Sequence, residues 1–145
     1  MTRKIQSKGY KPHVAAELLE VGTQTLRYWR AHVDPRPYRK TFPSGILLAY
    51  QVIKIFSRRK HVPVTVLEQC SWERIFALCE SRAPEKLANL AILIDEKKHD
   101  IKVVDVEYQP NIYDLDLHLL PLRPVVDEHF HALHTFGHDL TESFE

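Results

Sequence analysis

The chain has 145 residues, of which 44% are hydrophobic and 27% charged, a composition that supports a folded core and excludes a low-complexity or disordered chain. Its formal net charge of +1 conceals a strong asymmetry. Residues 1–60 carry 13 Lys and Arg against 3 Asp and Glu, a net charge of +10, whereas residues 61–145 carry 7 against 16, a net charge of −9. This division is typical of a polyanion-binding unit joined to a unit with a different role.

Hydropathy and cysteine usage suggest where the protein is located. No apolar run approaches the ~20 residues that span a bilayer, and residues 1–13 lack the apolar core of a signal peptide. We therefore expect a cytoplasmic protein with no membrane partner. Cys70 and Cys79 are predicted to lie on one helix, about 13 Å apart, which is too far for a disulfide. Both cysteines are therefore predicted to be reduced core thiols, as is usual in the cytoplasm.

The N-terminal third begins with a basic segment and continues with helical periodicity. Residues 1–12 are polar and basic and are predicted to form a flexible arm. Apolar residues recur at helical spacing over 13–21, Gly22 interrupts the pattern, and residues 23–32 form a second helical stretch. Three prolines within residues 34–45 exclude a helix there and predict a turn-rich loop.

The next two predicted elements are longer helices. Residues 45–60 carry an apolar stripe at i, i+3, i+4 and i+7 spacing, which indicates an amphipathic helix. Residues 66–82 continue the same periodicity after a proline and are predicted to form one further helix.

Strand periodicity replaces helical periodicity in the C-terminal part. Residues 89–95 and 101–108 flank a short polar turn and are predicted to form a β-hairpin. Residues 114–120 alternate strictly and predict a third strand. Its alternation would turn three leucines inward: Leu115, Leu117 and Leu119. A short helix is expected over 125–136, with fraying from Gly137 onward.

These elements together predict an α+β protein with two units. Residues 13–83 would form a mostly α-helical N-terminal domain. Residues 84–145 would form a small acidic α+β domain with a β-hairpin or a three-stranded antiparallel sheet. The acidic domain would serve in dimerisation, in partner binding or in sensing a small ligand.

Residues 15–29, with the sequence AAELLEVGTQTLRYW, are the most specific part of the chain. Two predicted short helices meet at a tight turn at Val21 and Gly22. The small residue Ala16 lies in the first helix at a point where a neighbouring helix would pack closely. This arrangement indicates a helix-turn-helix.

The match to a known family extends further along the chain. A Thr-Leu-Arg-Tyr-aromatic run occupies residues 25–29, a Tyr-Arg pair follows at Tyr38 and Arg39, and apolar residues recur in the helix after it at Tyr50 and Ile53. On these residues, about 13–68 of the chain resemble the MerR-like winged helix-turn-helix family, whose recognition helix, wing and following helix show the same features.

The chain departs from the family pattern at the cap of the recognition helix and in the segment that follows the matched residues. Gly22 stands where the family usually has a capping Ser, which makes a weaker helix cap. No long heptad segment follows, so the family's coiled-coil dimerisation helix is missing or is replaced by residues 66–82.

The resemblance implies that the helix 23–32 enters the major groove and that the wing 34–44 lies on the DNA backbone. Gln can pair with adenine and Arg with guanine. The residues predicted to face base edges are Thr23, Gln24, Thr25 and Arg27. The remaining predicted DNA-binding residues lie on the helix flank and the wing, from which polar and cationic side chains can reach phosphates: Tyr28, Arg30, Arg36, Tyr38, Arg39 and Lys40.

We expect a sequence-specific double-stranded DNA-binding protein, a transcriptional regulator that acts as a homodimer because one small module contacts too few bases. One alternative is an excisionase-like or architectural DNA-bending protein of a mobile element. Another is an antitoxin-type regulator whose acidic half binds a basic protein partner. An enzyme is not expected, because the sequence has no phosphate-binding glycine loop, nucleophile elbow or paired-carboxylate site. No cofactor is expected.

Four histidines lie within residues 129–138. On a helix, His131, His134 and His138 fall near one face, a spacing that suits zinc or nickel. A surface cluster of neutral imidazoles is the commoner explanation, so no metal is predicted and these three residues remain secondary candidates.

Overall fold

The computed structural model describes residues 9–37, 41–81, 84–110 and 113–144; the side chains of Ser81, Pro84 and 136–144 are outside this description. Within these residues, the chain is an α+β protein, as predicted. The helices are α1 (Pro12–Leu19), α2 (Thr23–His32), α3 (Ser44–Arg58), α4 (Val64–Gln69), α5 (Glu73–Ser81), α6 (Pro84–Leu87) and α7 (Leu122–Phe144). The strands are β1 (Leu90–Asp95), β2 (Asp100–Asp105) and β3 (Leu117–Pro121).

Helices α1 and α2 are joined by a three-residue turn. Glu20 adopts left-handed backbone angles, with φ 58 and ψ 44. Its N–H donates to the Glu17 carbonyl at 3.0 Å, and the Val21 N–H donates to the Ala16 carbonyl at 3.0 Å. These bonds satisfy carbonyls that the end of α1 would leave free. Gly22 is the N-cap residue of α2 and provides no side-chain hydrogen bond to it. The sequence predicted this weak cap.

Helix α3 lies at the centre of the fold. Ten of its residues are buried, namely 46–53, Ile55 and Phe56. It contacts α1, α4, α5 and α7. The buried side chains of both halves of the chain form one continuous core around it. A continuous core neither requires nor forbids two functional units, so the domain boundary at residue 84 stays a prediction.

The single helix predicted over residues 66–82 is wrong. The chain forms α4 and α5, which are separated at Cys70 by an extended backbone with φ −75 and ψ 149. Trp72 provides the reason, because its buried indole folds back and donates Nε1–H to the Leu67 carbonyl at 2.8 Å. That carbonyl lies in the last turn of α4, where a helix lacks an internal partner. A continuous helix would carry the indole away from it.

Cys70 therefore lies at the break between α4 and α5, whereas Cys79 lies on α5, and both are buried free thiols. Burial raises the pKa of Cys70 to about 11 and that of Cys79 to about 12. Both thiols stay protonated near neutral pH and have little nucleophilic character.

The three strands form an antiparallel sheet in the order β2-β1-β3. The predicted hairpin is confirmed, since β1 pairs with β2 from Leu90 opposite Asp105 to Asp95 opposite Asp100. On the other side, β1 pairs with β3, where Ile92 lies opposite Leu120. Ile92 and Leu120 belong to the same core as α3, so one face of the sheet packs on the helices.

The inward direction predicted for Leu115 is wrong. Leu115 precedes β3 and is 87% exposed, whereas Leu120 is buried. The cause is an aspartate turn, in which the Asp114 carboxylate accepts the Asp116 N–H at 3.0 Å. The strand begins only after this turn. Leu117 and Leu119, the other two leucines predicted inward, are half-buried.

The last helix is longer than predicted. Residues 125–136 were expected to be helical, with fraying from Gly137, but α7 has 23 residues and continues through Gly137. A single Gly costs only about 1 kcal/mol in a helix interior and does not have to end it. No described helix is long and apolar enough to cross a membrane.

Helix α7 is attached to α3 by polar contacts as well as by the core. His129 is only 2% exposed, and its Nε2 lies 2.9 Å from the Ser44 carbonyl oxygen at the start of α3. Arg59 donates to both carboxylate oxygens of Glu128 at 3.3 Å. His129 is therefore part of the interior and does not belong to a surface histidine cluster.

Candidate nucleic-acid interface

Helix α2 has one buried face and one exposed face. Leu26 and Trp29 are buried, whereas Gln24, Arg27 and Tyr28 are exposed. The exposed three have i, i+3 and i+4 spacing and share one side of the helix. No Asp or Glu occurs within α2. The structure thus brings together three of the predicted DNA-binding residues on a polar, cationic face.

The other predicted residues of α2 have different surroundings. Thr23 is exposed at the first position of the helix, while Thr25 and Arg30 are half-buried on its flanks. The Arg30 guanidinium carbon lies 4.1 Å from the centroid of the buried Phe42 ring. This distance is within the range of a cation–π contact. Arg30 therefore connects α2 to the loop that follows it.

Arg36 is engaged in an internal ion pair. Its guanidinium donates to the two carboxylate oxygens of Asp34 at 3.0 and 2.7 Å. The Tyr50 hydroxyl donates to the same carboxylate at 2.8 Å. The Asp34 side chain is 2% exposed and that of Arg36 17%. In this arrangement, Arg36 holds the start of the predicted wing against α3 and offers little charge to a phosphate.

Burial is the main cause of a pKa shift at Tyr50. Burial and the neighbouring Asp34 carboxylate raise the pKa of Tyr50 well above its usual range. The phenol therefore remains protonated near neutral pH and donates to Asp34.

Three wing residues of the predicted site, Tyr38, Arg39 and Lys40, lie outside the described residues. The base of this loop is described. Tyr10 and Phe42 form an antiparallel bridge, with N–H to oxygen hydrogen bonds of 2.9 and 2.8 Å between their backbones. The described part of the predicted arm, from Gly9 onward, is therefore held against the base of the wing. Helix α1 begins at Pro12, within the predicted arm.

Gly9 is required for this close approach, because its φ is +76 and an added Cβ would lie 2.8 Å from backbone atoms of Phe42 and Pro43. We expect Gly9→Ala to lower the free energy of unfolding by about 3 kcal/mol through backbone strain and overpacking. Urea denaturation measures this change. Gly22→Ala is the matched control, because its added Cβ meets nothing within 4 Å, and it should cost at most about 1 kcal/mol. If both variants lost the same free energy of unfolding, Gly9 would not be required for the close approach to Phe42 and Pro43.

Two cations near the end of α3 support the α1–α2 turn. Lys54 donates Nζ–H to the Leu19 carbonyl at 2.8 Å, and Arg58 donates Nη1–H to the Glu20 carbonyl at 3.2 Å. Burial lowers the pKa of Lys54. Lys54 and Arg58 thus satisfy carbonyls at the C-terminal end of α1, and they fix the turn from which α2 begins.

Glu68 is a residue of this surface that the sequence did not reveal. Its carboxylate accepts a hydrogen bond from the Tyr28 hydroxyl, and this bond raises the pKa of Tyr28. The same carboxylate lies 4.0 Å from His32 Nδ1. The rings of Tyr28 and His32 are 4.3 Å apart between centroids. Glu68 lies on α4, so no local pattern within α2 could have indicated it.

No family model matches the chain, and no curated protein or solved structure matches it either. The resemblance of residues 13–68 to the MerR-like family therefore stays an expectation. What this surface can do follows from its own geometry and charge.

The histidine candidates do not come together as a metal site in the part of the chain that the structure describes. His131 and His134 are exposed on α7, and the side chain of His138 lies outside the described residues. Among the described residues, no group of three His, Cys, Asp or Glu side chains could hold a metal ion.

Proposed function

We propose that this protein binds double-stranded DNA sequence-specifically and regulates transcription, with α2 in the major groove and residues 34–44 on the backbone as a wing. The exposed face of α2 is the observation that supports this proposal. Gln24 and Arg27 project from one side of a helix that contains no carboxylate. An α-helix fits the major groove of B-DNA, where Gln can pair with adenine and Arg with guanine.

The distribution of charge supports the same proposal. Residues 1–60 carry a net charge of +10, and cations that neutralise phosphates provide most of the sequence-independent affinity for DNA. Three cations precede Gly9 in sequence and two directly precede Thr41. The described residues that follow these two basic segments are paired with each other through the bridge between Tyr10 and Phe42.

A homodimer belongs to the proposal, because a single small module contacts too few base pairs to be selective. The acidic half offers surface for a second copy or for another protein partner. Among its described residues, Val106, Tyr108, Tyr113 and Leu115 are exposed large apolar side chains. Contiguous exposed apolar surface is typical of interaction sites, and these four side chains would contribute to such a surface.

Selection from a random DNA pool, followed by footprinting and gel shift, tests the proposal. We expect one footprint with two-fold symmetry. Gln24→Ala/Arg27→Ala should weaken binding to the selected site at least about 30-fold, because each lost bidentate base contact costs about 1–3 kcal/mol. Binding to unrelated duplex should change much less.

The matched control is Gln109→Ala/Arg123→Ala, which removes the same two residue types from exposed positions in the acidic half. This control should bind the selected site within about twofold of the wild type, as expected for surface changes away from the interface. Full selectivity in a folded Gln24→Ala/Arg27→Ala variant would exclude α2 as the recognition helix. Several direct repeats with strong bending would instead indicate an architectural protein.

A further inference from the structure

A negative charge lies beside the proposed DNA-binding face. The Glu68 side chain is 25% exposed, and its carboxylate is held by the Tyr28 hydroxyl and lies close to His32. Tyr28 shares the exposed face of α2 with Gln24 and Arg27. A helix that enters the major groove brings this face, and the carboxylate attached to it, close to phosphates on both strands.

We propose that Glu68 limits sequence-independent DNA binding by this surface; the inference rests on the function proposed above. Phosphate contacts favour every duplex equally, whatever its sequence. A fixed carboxylate beside the groove opposes every duplex equally. The ratio of specific to non-specific affinity is therefore unchanged, but both affinities fall, so that only a site with the additional base contacts stays bound at moderate salt.

The contacts of Glu68 keep its charge in place. A carboxylate at the end of a free side chain would turn away from an approaching phosphate, but the hydrogen bond from Tyr28 holds this one against α2. His32, at the end of the same helix, lies 4.0 Å from the same carboxylate.

Glu68→Gln provides the test, because Gln keeps an oxygen that can accept from Tyr28 and removes only the charge. Binding to a labelled 24-base-pair duplex of arbitrary sequence is measured by fluorescence anisotropy from 50 to 200 mM KCl. The buffer is held at pH 8.0, above the ordinary pKa of free imidazole. We expect the slope of log affinity against log salt to become steeper by up to ~0.9. The gain in affinity at 50 mM would then be about threefold larger than the gain at 200 mM.

Glu107→Gln is the matched control, since Glu107 is an exposed carboxylate after β2 and the substitution changes the net charge equally. Its salt slope should equal that of the wild type. Glu68→Lys, which changes the charge by two at the same position, should produce about twice the change in slope.

The outcomes separate the two proposals. If the wild type binds DNA and Glu68→Gln has the same slope as Glu107→Gln, Glu68 has no role in limiting binding and the inference is wrong, while the proposed function stands. If no variant binds at 50 mM salt, both are wrong. Detectable binding by Glu68→Gln but not by the wild type would support the inference in its strongest form. Circular dichroism at each step confirms that the variants are folded.

Discussion

Asp34→Ala is expected to destabilise the protein by about 3 kcal/mol, because it removes a buried carboxylate that accepts hydrogen bonds from the half-buried Arg36 guanidinium and from the buried Tyr50 hydroxyl. The Arg36 guanidinium would lose both of its hydrogen bonds to Asp34, and the Tyr50 hydroxyl would lose its acceptor. Leaving a buried charge without its partner costs much more than an intact pair contributes. The free energy of unfolding, measured in urea at pH 7, checks this value.

Asp127→Ala is the control for the loss of one acidic side chain, since Asp127 is exposed on α7, and it should change stability by at most about 0.5 kcal/mol. The double variant Asp34→Ala/Arg36→Ala removes both charges and should recover part of the loss. A cost for Asp34→Ala as small as that for Asp127→Ala would show that this ion pair does not hold the start of the wing.

Acidification is expected to destabilise the fold between about pH 6.5 and pH 4 through His129. Burial lowers the pKa of this imidazole to about 4, against a slight opposing effect of its contact with the Ser44 carbonyl. The Nδ1 atom is buried without a partner among the described residues, so a proton there would have no acceptor. The fold therefore favours the neutral ring.

The sign of the effect follows from proton binding. Below about pH 6.5 the unfolded chain takes up a proton that the folded chain does not, so stability falls as the pH falls. The loss stops near pH 4, where the folded protein also binds the proton. Across this window the contribution of His129 is roughly 3 kcal/mol, from about 1.4 kcal/mol for each pH unit.

Urea denaturation at pH 7.0 and pH 4.5 isolates this contribution when the wild type is compared with His129→Gln. Gln can donate to the Ser44 carbonyl but does not titrate. The decrease in stability on acidification should be roughly 2–3 kcal/mol smaller in this variant, whereas His13→Gln, at an exposed position, should behave as the wild type. Parallel decreases in the wild type and in His129→Gln would mean that the imidazole titrates normally in the folded state.

The elements that the sequence predicted correctly are those with local patterns. Helices α1, α2 and α3 have apolar stripes at helical spacing, and β1 and β2 flank a polar turn. The break between α4 and α5 depends on the Trp72 indole meeting the Leu67 carbonyl, a contact that periodicity does not contain. The exposure of Leu115 depends on the Asp114 turn, which resembles a strand because its residues alternate in polarity.

The same distinction applies to the proposed site. Gln24 and Arg27 share a face because they are three residues apart on a helix. This spacing can be read from the sequence alone. Arg36 was assigned to phosphate contact by its charge alone. The Asp two residues before it was a signal for an internal pair, and Tyr50 completes that pair from another helix. The contact between Tyr28 and Glu68 joins residues 40 positions apart, and nothing in the sequence around either residue indicates it.

The central position of α3 has a consequence for cooperativity. One end of α3 holds the α1–α2 turn through Lys54 and Arg58, and the other end accepts His129 from α7. Neither neighbour can separate from α3 without exposing buried side chains of this helix to water. The described parts of the chain should therefore melt in one two-state transition, and heating or protease should remove the α2 surface and the acidic half together.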